Sequence, residues 1–160
     1  MEARKHVRGI AHEMNVAKIT LAGVPDRPGL AHAVFAPLAE AGVSVDVIVQ
    51  AASIDGLAEI SFTVGGTDLQ QAEDIVRGIA QEVGATVVHG VANLAKVSIV
   101  GTGLQSAPGY AARMFGTLAE HGINIDMITT SDIRITCVID ETGALDAVRA
   151  LHTAFELDRE

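Results

Sequence analysis

The chain is poor in the residues that build many kinds of site. It has no Trp, one Tyr and four Phe, so aromatics make up 3% of its 160 residues. That leaves little for stacking nucleic-acid bases. A single cysteine, Cys137, rules out an intrachain disulfide framework and a multi-cysteine zinc site within one chain. It reads as a small apolar residue buried in a strand. Basic residues are outnumbered, 11 Lys and Arg against 20 Asp and Glu, for a net charge of -9 and a pI near 5.0. Phosphates would be repelled, which argues against nucleic acid and an anionic membrane surface as partners. No apolar run approaches the roughly 20 residues of a membrane span. The opening "MEARKHVRG" has no apolar centre of signal-peptide kind. A soluble cytoplasmic protein is the expectation.

Catalytic signatures are missing too. There is no G-x-x-x-x-G-K-[ST] loop, no H-E-x-x-H and no G-x-S-x-G elbow. The six His (His6, His12, His32, His89, His121 and His152) lack metal-ligand spacing. "GTG" at Gly101 to Gly103 lacks the parallel βαβ context of a dinucleotide fingerprint and reads as a turn. No catalytic residue, metal or cofactor is expected.

What the chain does have is aliphatic content, 49% of it hydrophobic, and an internal repeat. "PGLAHAVFAPLAEAGVSVD" (Pro28 to Asp46) returns without a gap as "PGYAARMFGTLAEHGINID" (Pro108 to Asp126). "NVAKITLAGV" echoes in "NLAKVSIVGTG", and "VRGIA" (Val7 to Ala11) in "VHGVA" (Val88 to Ala92). Such self-similarity indicates two copies of one supersecondary unit.

Periodicity supplies the elements. The first copy reads as a strand at Ala17 to Ala22, then a helix at Pro28 to Ala41 with Leu30, Val34, Phe35 and Leu38 on one face. In "VSVDVIVQ", Val43, Val45, Val47 and Val49 alternate with Ser44, Asp46, Ile48 and Gln50, as in a strand buried on one side. Asp55 and Gly56 turn the chain into the strand "LAEISFTV". A helix from Asp68 to Gly84 carries Leu69, Ala72, Ile75, Val76, Ile79 and Val83, and "ATVVHGV" closes the set as βαββαβ. The second copy has strands at Lys96 to Val100, Ile123 to Thr129 and Ile133 to Ile139, and a helix at Pro108 to Glu120. Its last helix turns Leu145, Val148, Leu151 and Phe155 inward.

The second copy ends before its closing strand, and Val7 to Ala11 can supply it. An unpaired apolar sheet edge invites aggregation, which is the physical reason to expect that pairing. The predicted fold is α+β: two ferredoxin-like modules, each a four-stranded antiparallel sheet with two helices on one face. The first module covers residues 16–92 and is inserted into the second, residues 1–15 plus 93–160.

Site candidates centre on "VPDRPG", Val24 to Gly29. With Pro28 at the first helical position, Gly29, Leu30 and Ala31 would present free amide hydrogens at the positive end of the macrodipole. Such an end accepts a carboxylate or phosphate. Gly29 lets a ligand approach the backbone, while Asp26 attracts an ammonium. A free α-amino acid carries both charges at that spacing. The competing interpretation is a turn or cap residue at Asp26 and a plain helix start at Pro-Gly. The repeat bears on that choice. Phe35, Leu38, Glu40, Gly42 and Asp46 recur as Phe115, Leu118, Glu120, Gly122 and Asp126 and so serve the shared fold. Asp26 becomes Ser106, and Gln50 becomes Thr130.

These residues carry a resemblance. "VRGIA…AKITLAGVPDRPG", "VDVIVQ" and "KVSIVGTG…SAPG…NIDMITTSDIRI" resemble the regulatory β subunit of aspartate kinase, which is built from two ACT domains. The likeness covers almost the whole chain, and no "KFGG"-type kinase segment accompanies it. The resemblance implies no phosphotransfer by this chain. It implies feedback inhibition by threonine, often with lysine, bound where the first module of one copy meets the second module of another. By position it implies that Asp26 takes the ammonium. Pro28, Gly29, Leu30 and Ala31 would flank the ligand, Gln50 would reach its polar groups, and Asn124 and Ile125 would offer main-chain contacts. Ser53, Ser131 and Asp132 fall where family members lose inhibition or respond to lysine. The implied partners are a second copy of the chain, in a homodimer, and a catalytic aspartate kinase α subunit. Other readings are a stand-alone tandem ACT sensor acting on a different protein, a purely structural dimerisation module, and a phosphatase on the same scaffold. Asp26 beside Arg27 opposes the last, since a carboxylate repels phosphate.

Overall fold

A computed structural model describes residues 6–53 and 55–157. Residues 1–5 of the N-terminal segment assigned to the second module lie outside that range. The elements are β1 (Val7–Pro25), α1 (Leu30–Glu40), β2 (Val45–Ala52), β3 (Leu57–Gly65), α2 (Leu69–Val83) and β4 (Val87–Gly101), followed by α3 (Tyr110–Glu120), β5 (Met127–Thr130), β6 (Arg134–Asp140) and α4 (Ala144–Ala154). The chain divides into one unit of residues 15–93 and another of residues 1–14 with 94–160. It is an α+β protein of two βαββαβ units, the first threaded into the second. β1 and β4 each give their two halves to different units.

In the 15–93 unit the strands lie in the order β2-β3-β1-β4. β3 pairs antiparallel with β1, Ile19 opposite Phe62, and with β2, Val45 opposite Val64. The period of two sends Ala17, Ile19 and Leu21 to one face, where all are fully buried. They meet Leu30, Val34 and Leu38 of α1 and Ala72, Val76, Ile79 and Val83 of α2. Phe35 stands edge-on to Phe62, centroids 5.1 Å apart at 75°, a favoured aromatic geometry. Each such large side chain contributes about 1.5–3 kcal/mol by leaving water.

The alternation expected in β2 fails at its end. The register shifts between Val45 and Ile48. The Val47 amide donates to the Thr63 hydroxyl at 3.0 Å, and Val49 emerges 40% exposed. A bulge of this kind adds a residue and turns the following side chains to the other face.

The other unit has the order β1-β4-β6-β5. β6 pairs antiparallel with β4 and β5, so Val97 lies opposite Cys137 and Ile128 opposite the same residue on the other side. Val7 is 4% exposed and belongs to this core, and the Thr102 amide donates to the His6 carbonyl at 2.9 Å. α3 buries Met114, Thr117 and Leu118. α4 buries Ala144, Ala147 and Leu151, a stripe at i, i+3 and i+7. Leu145, expected inward, is 54% exposed. Its helix begins at Ala144, so it stands about 100° around from the buried stripe. β5 begins at Met127 rather than Ile123, which leaves Gly122 to Asp126 as a loop. Among the described residues no helix is long and apolar enough to cross a membrane, and no three His, Cys, Asp or Glu side chains converge to hold a metal.

Candidate functional site

The loop after β1 is shaped by one turn. Pro28 fixes φ near −65°, and Gly29 takes φ 88° and ψ −1°. These are the central positions of a type II turn, closed by the Leu30 amide donating to the Arg27 carbonyl at 3.3 Å. The helix therefore begins at Leu30, not Pro28, and the Leu30 amide is already used. Leu30 instead drives its side chain into the core, 3% exposed. The next amides, of Ala31 and His32, have no helical carbonyl one turn earlier to accept them. The end of α1 thus keeps outward-facing donors and the positive dipole end.

Asp26 and Arg27 lie exposed just before this turn. Among the described residues the Asp26 carboxylate has no hydrogen bond or ion pair. Its backbone is anchored: the Asp26 amide donates to the Gly56 carbonyl at 2.9 Å. Gly56 belongs to the β2–β3 turn, where Ser53 donates its amide to the Leu57 carbonyl at 2.8 Å. The Ser53 hydroxyl also donates to the Asp55 carboxylate. That bond, reinforced by the Leu57 amide, holds Asp55 below the usual carboxylate range against the smaller opposing effect of desolvation.

The remaining predicted residues separate into groups. Gln50 is exposed on β2, opposite Ile60, which faces Leu21. Ser53 is three residues further on, in the rung of Leu57 and Pro25. At about 3.3 Å per residue, Gln50 lies roughly 10 Å back along the strand from that rung. Ala51, Ala52, Ser53, Leu57 and Glu59 border a shallow pocket of about 280 Å³.

In the other unit, Asn124 and Ile125 line a cleft of about 650 Å³ with Leu94, Asp126, Asp140 and Thr142. Asp140 is held below its ordinary range by the Thr142 amide at 2.9 Å and hydroxyl at 2.7 Å. Ser131 and Asp132 form the β5–β6 turn, away from that cleft's lining, and the Asp132 carbonyl accepts the Leu104 amide at 2.9 Å. Ser106 turns its hydroxyl onto the Gly103 carbonyl at 3.1 Å. The first loop thus carries an unpaired carboxylate and the second a self-satisfied hydroxyl. In the sequence, Asp55 and Gly56 read only as a turn. The link from Gly56 to Asp26 spans a strand pairing, which no local pattern reveals.

ACT-domain family models match residues 18–81 and 97–155. With its two βαββαβ units, the molecule is of the tandem ACT class, a family of regulatory domains that bind amino-acid effectors. The regulatory subunit of aspartate kinase from Thermus thermophilus, in its ligand-free form, superposes with a TM-score of 0.87 at 41% identity, covering 94% of this chain and 99% of that one. A structure of aspartokinase alpha and beta subunits gives 0.87 at 43% identity, with the same coverage. An aspartate kinase of Stutzerimonas stutzeri is 49% identical over 152 residues, 95% of this chain and 37% of that enzyme. The chain belongs to the aspartate kinase family, as its regulatory ACT-domain part and not its catalytic part. It spans about 37% of the length of the curated relatives it matches first.

Proposed function

We propose that this chain is the threonine-sensing regulatory part of an aspartate kinase and mediates feedback inhibition of the aspartate-family amino-acid pathway in the cytoplasm. The observation that carries this is the unpaired Asp26 carboxylate beside the open amides of α1, found in one module only. Asp26 takes the ammonium of the effector, and the start of α1 after Gly29, where the Ala31 amide is open, receives its carboxylate. Gln50 of the same copy reaches the hydroxyl. Asn124 and Ile125 of a second copy supply main-chain groups from their cleft. The working assembly is then a homodimer through ACT modules, joined to a catalytic kinase chain, with lysine as a second effector.

An effector held by two copies favours the arrangement in which both touch it, and it shifts the equilibrium only by its differential affinity. A coupling of about 1–3 kcal/mol is usual and moves a partner's activity several-fold or more. Isothermal calorimetry on the full chain tests the assignment. Asp26→Ala weakens threonine binding by at least tenfold, as expected when a charged hydrogen bond of about 1.5–3 kcal/mol is lost. Ser106→Ala leaves it within twofold. Equal losses in the two variants, or none, refute the assignment.

A further inference from the structure

We infer that Ser53 is a positioning residue for the effector site: it fixes the backbone of Asp26 through the β2–β3 turn and touches no ligand itself. This rests on the reading of Asp26 as the ammonium acceptor. The Ser53 hydroxyl has one hydrogen, shared between the Asp55 carboxylate and the Leu57 carbonyl at 3.0 Å. The Leu57 amide reaches the same Asp55 carboxylate at 3.4 Å, and the Gly56 amide donates to the Ser53 carbonyl at 3.3 Å. Among the described residues, every hydrogen bond of Ser53 is therefore internal to the turn. Gly56 holds a left-handed φ of 81°, so its carbonyl direction depends on these bonds. That carbonyl accepts the Asp26 amide, which sets where the carboxylate starts from. Loosening Ser53 frees Gly56, and a freed Gly56 lets Asp26 move.

The second module has a serine in the corresponding turn, but among the described residues its hydroxyl meets no carboxylate and bonds only the backbone of Ile133 and Arg134. Ser131 accepts the Arg134 amide at 3.1 Å and donates to the Arg134 carbonyl at 3.3 Å. The Asp132 carbonyl in that turn holds Leu104, whose loop carries Ser106 in place of a carboxylate.

Two readouts on the full chain test the inference: threonine affinity by calorimetry, and backbone amide exchange without ligand. In Ser53→Ala the Asp26 amide exchanges roughly tenfold faster while the core strand amides keep their protection. Threonine affinity falls roughly three- to tenfold, the range of one lost hydrogen bond. Ser53→Thr keeps the hydroxyl and restores both values to within twofold. If affinity falls in Ser53→Ala with Asp26 exchange unchanged, Ser53 touches the ligand and the inference is overturned. It is equally overturned if Ser53→Thr loses as much affinity as Ser53→Ala. Should the parent chain bind no threonine, the functional reading fails by itself. Exchange at Asp26 then decides the positioning role: faster in Ser53→Ala and restored in Ser53→Thr upholds it, and no change overturns it.

Discussion

Burial pushes the Cys137 thiol up to about 12, because its place on β6 faces the helix layer and puts its sulfur 4.0 Å from that of Met114. The neutral thiol is the form the fold favours. Its contribution to stability is complete below the ordinary thiol range and is lost as pH rises from 9.0 toward 12. Since the thiolate is the reactive species, Cys137 in the native chain reacts with Ellman's reagent at pH 8 at least 100-fold more slowly than in denaturant. Equal rates would place the thiol in solvent. This burial was legible from residue habit and strand periodicity, as was the contrast between Asp26 and Ser106, which needs only the repeat. Leu145 and Val49 were not legible. The buried stripe of α4 runs through Ala144, Ala147 and Leu151 and so leaves Leu145 outside, and a bulge turns Val49. Both depend on partners that a local pattern does not contain.

At the scale of elements, α1 and α3 start alike. Each follows a glycine with left-handed backbone, Gly29 at φ 88° and Gly109 at φ 105°, and neither has a side-chain cap. The Pro-Gly pairs in the repeat pointed to both helix starts, but placed them two residues early. A left-handed Gly belongs to the turn, so the helix cannot include the Pro before it. A β-carbon on Gly29 would meet nothing within 4 Å, so Gly29→Ala measures backbone torsion without a clash. The expected cost is about 1–2 kcal/mol, read as a lower urea midpoint at unchanged m-value. Gly23→Ala is the contrasting case, since its β-carbon would lie closer than contact distance to the Thr86 hydroxyl. It should cost more than Gly29→Ala. The reverse order would mean that loop packing, not torsion, sets the start of α1.

At the scale of the whole molecule, the order of elements along the chain matters as much as the elements themselves. The unit of residues 94–160 contains three strands of its own and takes its fourth from residues 7–14. That N-terminal segment contributes Val7 to the core that also holds Ile99 and Leu104. A chain beginning at Asn15 would keep every strand of the 15–93 unit and leave one edge of β4 bare in the other. Bare apolar edges lose protection and pair with other chains. Amide exchange on such a chain should therefore show retained protection in β3 and α2 and loss of protection across Leu94 to Val100 and β6, with aggregation rising with concentration. A synthetic peptide of residues 1–14 added in trans should restore part of the protection, since it supplies the missing strand at the cost of association entropy. Full protection across β6 in the shortened chain would show that the second unit stands on three strands. The first module would then be an appendage to the second rather than an insertion into it.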